Sequence, residues 1–182
     1  MTRLLAHGIS AVLPQGFEGR IFRRPAAPGA RSYPIAQFAT VAIPAVRGDF
    51  GAGIVERLGP SDVFLVLFEY GPESAGTPLF AQRGIPGVLR VDEFSPRTLR
   101  RGLGGQAGTQ RFFTDGARPF TLYAVLGQFR LREVTVAKLN ALLASIEIDP
   151  AAGAPTRAAS ASGGAGREHL GMQIEGTRGT RQ

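Results

Sequence analysis

Between Asp62 and the stop at Gly71-Pro72 the chain runs Val63-Phe-Leu-Val-Leu-Phe-Glu-Tyr70, β-branched and aromatic with no polar side chain before Glu69. A strand with one wet face alternates polar and apolar residues, whereas unbroken apolarity requires cover on both faces. The run is therefore expected as a central strand. The rest of the chain must then supply a neighbour at each edge and a layer on each side. At six apolar residues, Val63–Phe68 is also the longest such stretch, far below the roughly 18–20 residues of a membrane helix.

The flanking sequence reads mostly as strands. Gly8–Leu13 ends at Pro14-Gln-Gly16 and is followed by Glu18–Arg23, a hairpin or a strand with a short return. Pro25–Pro34 is a loop, and Ile35–Ile43 is a strand closed by Pro44. Arg47–Gly53 is a glycine-rich turn, and Ile54–Leu58 fits either a strand or a helix. In residues 71–107, Pro72, Pro78, Pro86 and Pro96 exclude a long helix. Ser95-Pro96 supplies an N-cap and first-turn proline for one or two helical turns. Thr109–Thr114 and Pro119–Leu126 bracket Asp115-Gly-Ala-Arg118, which predicts a hairpin.

After Gly127 the period changes. Val134, Leu139, Leu142, Leu143 and Ile146 predict an amphipathic helix over about Leu131–Ala144, with Lys138 and Asn140 on its other faces. Ile146-Glu-Ile148 predicts a short terminal strand. Together these elements predict one α/β (α+β) domain over residues 1–150, a mainly antiparallel sheet flanked by helices. Leu139, Leu142, Leu143 and Ile146 are expected to pack on Val63, Leu65, Leu122 and Val125. Residues 151–182 lack aromatics and are dominated by Ala, Gly, Ser, Thr and Arg. Such a segment has too little apolar surface to offset the entropy of ordering, so a disordered tail is expected. The tail carries +2 of the net +7 and the body +5, so no basic arm is appended to a neutral domain.

Two stretches carry a family resemblance. The opening Ile9-Ser-Ala-Val-Leu-Pro-Gln-Gly-Phe17 is one; the other is Gln110–Leu126 followed by Leu139-Asn-Ala-Leu-Leu-Ala-Ser-Ile-Glu-Ile148. They resemble the Mog1/PsbP-like α/β sandwich, over about 50 residues at the two ends of the body and not over 45–107. The resemblance implies a central antiparallel sheet with flanking helices, used by relatives for partner binding or assembly, and it carries no catalytic residues over. Arginine supplies 20 of the 21 basic residues, with Lys138 alone, a bias that resembles short cytosolic proteins of actinobacteria. Met1–Gly8 lacks the apolar run of about 7–15 residues of a secretory signal, so a cytoplasmic location is expected.

The chemistry on offer is narrow. The absence of cysteine removes disulfides, thiolate metal sites and thiol nucleophiles. His7 and His169 are the only histidines, so no His-based metal centre is expected. No Gly-x-Ser-x-Gly elbow accompanies His7, which is expected on the surface at the mouth of the first strand. Asp92 and Glu93 are adjacent and should point apart. No catalytic residue, metal ligand or cofactor is assigned.

What remains distinctive is arginine. Arg97, Arg100 and Arg101 have i, i+3, i+4 spacing and would share one face of a short helix. With Arg111 and the loop Gly102-Leu-Gly-Gly-Gln-Ala-Gly108, they form a candidate site for an anion or an acidic partner. The expected role is a non-enzymatic binding or assembly module that meets a protein partner through the irregular residues 71–107. The alternative is a small-ligand binder or enzyme with a pocket between sheet and helices. A further alternative is weak nucleic-acid binding through arginines. Against it, the aromatic residues fall in core-type runs, although one of Phe112 and Phe113 could face outward.

Overall fold

The computed structural model describes residues 2–28, 31–99 and 103–153. Among the described residues eight strands form two sheets: β1 (Thr2–Ala6), β2 (Ile9–Leu13), β3 (Glu18–Arg23), β4 (Pro34–Ala39), β5 (Val63–Glu69), β6 (Ala107–Asp115), β7 (Arg118–Leu126) and β8 (Glu147–Ile148). The larger sheet has the order β3-β4-β5-β7-β6, the smaller β1-β2-β8, and every named pairing is antiparallel. The apolar run is β5, the middle strand of five. Its odd-numbered residues Val63, Leu65 and Leu67 join one buried cluster, and its even-numbered Phe64 and Val66 join another on the opposite face.

The inner cluster lies between the two layers. Ile9, Ala11 and Leu13 of β2 meet Phe38, Leu65, Leu67, Phe120, Leu122 and Leu126 there. So do Val136, Leu139, Leu142 and Leu143 of the α-helix, α1 (Arg132–Leu143), with Ile146 after it. Three expectations change. Val125 is on the outer face, because it is three residues from Leu122 and strand side chains alternate with period two. Val134 is 60% exposed; the buried stripe is Val136, Leu139, Leu142, Leu143 and Ile146, which keeps +3 and +4 steps that Val134 breaks. Among the described residues, α1 is the one α-helix, and short 3-10 turns replace the other flanking helices.

Nor do β2 and β3 form a hairpin: they belong to different sheets, and Pro14–Phe17 carries the chain between layers. The N-terminal hairpin is β1–β2 instead, closed by His7-Gly8 with φ of 53° and 71°. Positive φ at both loop residues is the type I′ pattern that matches strand twist. Gly8 is also required sterically, since a Cβ there would come within 2.2 Å of the Ala152 Cβ. The β6–β7 loop is Gly116-Ala117, with Gly116 at φ 59° in its first position.

On the outer face, residues 43–58 fold back over the sheet. Ile43 and Ile54 cover Phe64, Val66 and Val125, and Ile54 to Leu58 holds a single 3-10 turn, Val55–Arg57. The buried Gln37 side chain anchors this loop: its Nε2 donates to the Gly48 and Asp49 carbonyls, each at 2.9 Å, and its Oε1 accepts from Arg47 Nε at 2.6 Å. Residues 150–153 form one further 3-10 turn, so the first three residues of the expected disordered tail, 151–153, are ordered; the rest of it lies outside the described residues. No helix among the described residues is long and apolar enough to cross a membrane.

Candidate functional site

Only part of the sequence-derived arginine cluster falls within the described residues. Ser95 Oγ does accept from the Arg97 amide, at 3.2 Å, and caps a turn begun by Pro96. That turn is a single 3-10 turn, Pro96–Thr98, and Leu99 is already extended at φ −79°, ψ 125°. The helix expected to carry Arg97 is one 3-10 turn as far as Leu99. Arg97 is exposed, and Arg100 and Arg101 lie outside the described residues.

Arg111 is paired internally: its Nη2 donates to Glu93 Oε1. An external anion beside it would meet the Glu93 carboxylate, whose side chain is mostly buried and whose Oε2 has no partner of its own. The glycine-rich loop is also engaged. The Gln106 amide donates to Leu103 O, the Gly108 amide to Ser95 O, and Gly105 O accepts from the Phe129 amide. The Gln106 and Gly108 amides are thereby taken up within the fold. Asp92 and Glu93 do point apart, Asp92 to Arg90 at 3.1 Å and Glu93 to Arg111.

The irregular segment instead builds a groove with α1. Val88–Asp92 and Phe94 form one wall, while Phe129, Arg132, Glu133, Val136, Ala137 and Asn140 form the other, enclosing about 750 Å³. Asn140 sets its width: Oδ1 accepts from the Leu89 amide at 2.8 Å, and Nδ2 donates to the Leu89 carbonyl at 3.0 Å. One helical side chain thus gives residue 89 the bonds a neighbouring strand would give, satisfying backbone groups that would be costly to bury bare. Leu89 and Phe94 are buried beneath, whereas Val88 is 66% exposed on the lip.

The rim carries charge. Arg90 pairs with Asp92, and their hydrogen bond holds the Asp92 carboxyl below its ordinary range and pushes the Arg90 guanidinium up. Across the groove the Arg132 guanidinium lies 4.6 Å over the Phe129 ring, beside the exposed Glu133. An apolar floor with both signs of charge at its edge suits a peptide segment better than an isolated anion. The sequence placed Asn140 off the apolar stripe but gave no sign of its partner, which is 51 residues away.

His7 is exposed on the β1–β2 turn. Burial, then the charges of Arg23 and Arg118, lower its imidazole pKa from 6.5. Among the described residues no group of three or more His, Asp or Glu side chains is placed to hold a metal ion. No family model, no curated protein and no solved structure matches the chain.

Proposed function

We propose that the chain is a non-enzymatic binding module that receives a protein segment in the groove between α1 and residues 88–94, on a scaffold of the Mog1/PsbP-like sandwich kind. The observation that carries this reading is the Asn140–Leu89 clamp, which holds an irregular segment beside a rigid helix and leaves an apolar trough with charged rims. Loops fixed by a scaffold in this way are where binding surfaces are built. A segment with apolar residues between charged ones would place the former on Val88, Val136 and Phe94 and the latter against Arg132 and Glu133.

The test is peptide display on the intact chain, followed by affinity measurement against Ala137→Arg. Ala137 is exposed and lines the groove, so arginine fills the trough without entering the core. Selected peptides should lose about tenfold or more in affinity, a shift of about 1.4 kcal/mol. Peptides that bind the variant as well as the parent would refute the groove as the docking site. Saturable small-molecule binding abolished by Ala137→Arg, with no peptide selected, would favour the small-ligand alternative.

A further inference from the structure

The outer face of the five-stranded sheet carries rings and charges that the groove does not use. Across the strands Phe22, Ile35, Phe68, Thr121 and Phe112 fall on one row, and Arg20, Gln37, Val66, Tyr123 and Gln110 on the next. Phe50 comes down from the overlying loop and stacks on Phe68, with ring centroids 5.2 Å apart and planes 17° from parallel. It meets Tyr123 edge-on at 6.3 Å, and Phe68 continues to Tyr70 at 5.0 Å. Phe50 remains 41% exposed, and Phe22, Phe68, Tyr70, Phe112 and Tyr123 are only half-buried.

Guanidinium groups surround them. Arg47 lies 4.6 Å over the Phe22 ring and uses Nε and Nη1 to hold the loop, leaving Nη2 without a partner among the described residues. Arg20, exposed, stands opposite Gln37, the residue that binds Arg47. Burial, and next the nearby charge of Arg20, pull the Arg47 guanidinium below its ordinary value. Among the described residues neither arginine has a carboxylate within ion-pair distance. Beside Phe68 a pocket of about 250 Å³ is lined by Arg24, Arg31 and Tyr33; Arg24 pairs with Asp49, and Arg31 is exposed.

Two neighbouring cations without an acid call for an external anion, and the exposed Phe50 ring, with half-buried rings around it, calls for a flat aromatic group. We propose that this face binds single-stranded nucleic acid, with bases stacking on Phe50 and the adjoining rings and phosphates meeting Arg20, Arg31 and Arg47. Bases have π-faces regardless of identity, so such a platform tolerates any sequence, and the basic residues add salt-dependent affinity. In a duplex the bases stack on one another, so their faces are not free for the platform. A second copy of the chain docking face to face would oppose Arg20 and Arg47 to their own counterparts, a like-charge contact that disfavours it.

The test uses the intact chain and fluorescence anisotropy with labelled oligo-deoxythymidine, its duplex with oligo-deoxyadenosine, and an abasic strand of equal length. The single strand should bind tightest, weaken as salt rises, and lose about tenfold or more with Phe50→Ala. Arg20→Ala should reduce both the affinity and its salt dependence. Val134→Ala, a charge-neutral change on the exposed side of α1, should leave it unchanged. Equal binding of the abasic strand or the duplex would overturn the proposal, as would Phe50→Ala at parental affinity or no binding at low salt. Self-association that Phe50→Ala abolishes, with no oligonucleotide bound, would assign the face to contact between copies and equally overturn it.

Discussion

Arg118, at the start of β7, grips both carboxylate oxygens of Glu69, at the end of β5: Nε donates to Oε1 at 3.0 Å and Nη2 to Oε2 at 2.6 Å. The side chains are 1% and 7% exposed. The remaining N–H groups reach the other sheet, Nη2 to His7 O at 3.0 Å and Nη1 to Gly8 O at 3.1 Å and Asp149 O at 2.9 Å. All five donors of the guanidinium are thereby used. One buried arginine joins the central strands to the β1–β2 turn and to the residue that follows β8.

Removing only one partner of this pair should be severe. Arg118→Met leaves Glu69 buried without its counter-charge, and the expected loss is about 3–5 kcal/mol. In Arg118→Met/Glu69→Leu no charge is stranded, so the double variant should be more stable than the single one. Urea denaturation of the two variants beside the parent measures the difference; a double variant weaker than the single would contradict this account.

The helix stripe makes a paired prediction. Leu142 is fully buried in the inner cluster, and Leu142→Ala should cost about 2–5 kcal/mol through lost contacts and the cavity left behind. Val134 is mostly exposed on the same helix, so Val134→Ala should stay within about 0.5 kcal/mol of the parent. Thermal or chemical denaturation that ranks the two variants the other way would place the stripe wrongly.

His7 predicts a pH dependence. Its folded pKa lies below 6.5, first through burial and then through Arg23 and Arg118. The unfolded chain therefore binds the His7 proton more readily than the folded one. This contribution to stability is fully present above about 6.5 and declines as pH falls from there toward the lower folded value. The imidazole should titrate below 6.5 in an NMR titration, and Arg23→Ala should move its midpoint upward. A midpoint above 6.5 in the parent would be inconsistent with this environment.

Much of the frame was legible in the sequence, because some patterns admit few alternatives. A strand apolar on both faces has to be central, and Val63–Phe68 is; Asp115-Gly between aromatic runs marked the β6–β7 turn. Leu139, Leu142, Leu143 and Ile146 announced a buried helix face through their own spacing. These signals are local: the period of a segment reports how much of its surface must leave water.

The site was not local in that sense. The turn that begins at Pro96 ends at Thr98, so a capping serine and a first-turn proline did not fix how far the helix would run. Arg111 could be read as a free cation only until the fold brought Glu93 onto it. Asn140 meets Leu89 across 51 residues, and Arg118 meets Glu69 across 49 and His7 across 111. Phe50 reaches the sheet face because Gln37 holds its loop there. Which segments had to be buried could be read along the chain, since hydrophobic period is written residue by residue. Which charges are paired, and that Phe50 stays exposed over the sheet, depends on the folded arrangement, because hydrogen bonds and ion pairs form between groups within about 3–4 Å in space, and chain order does not encode that distance.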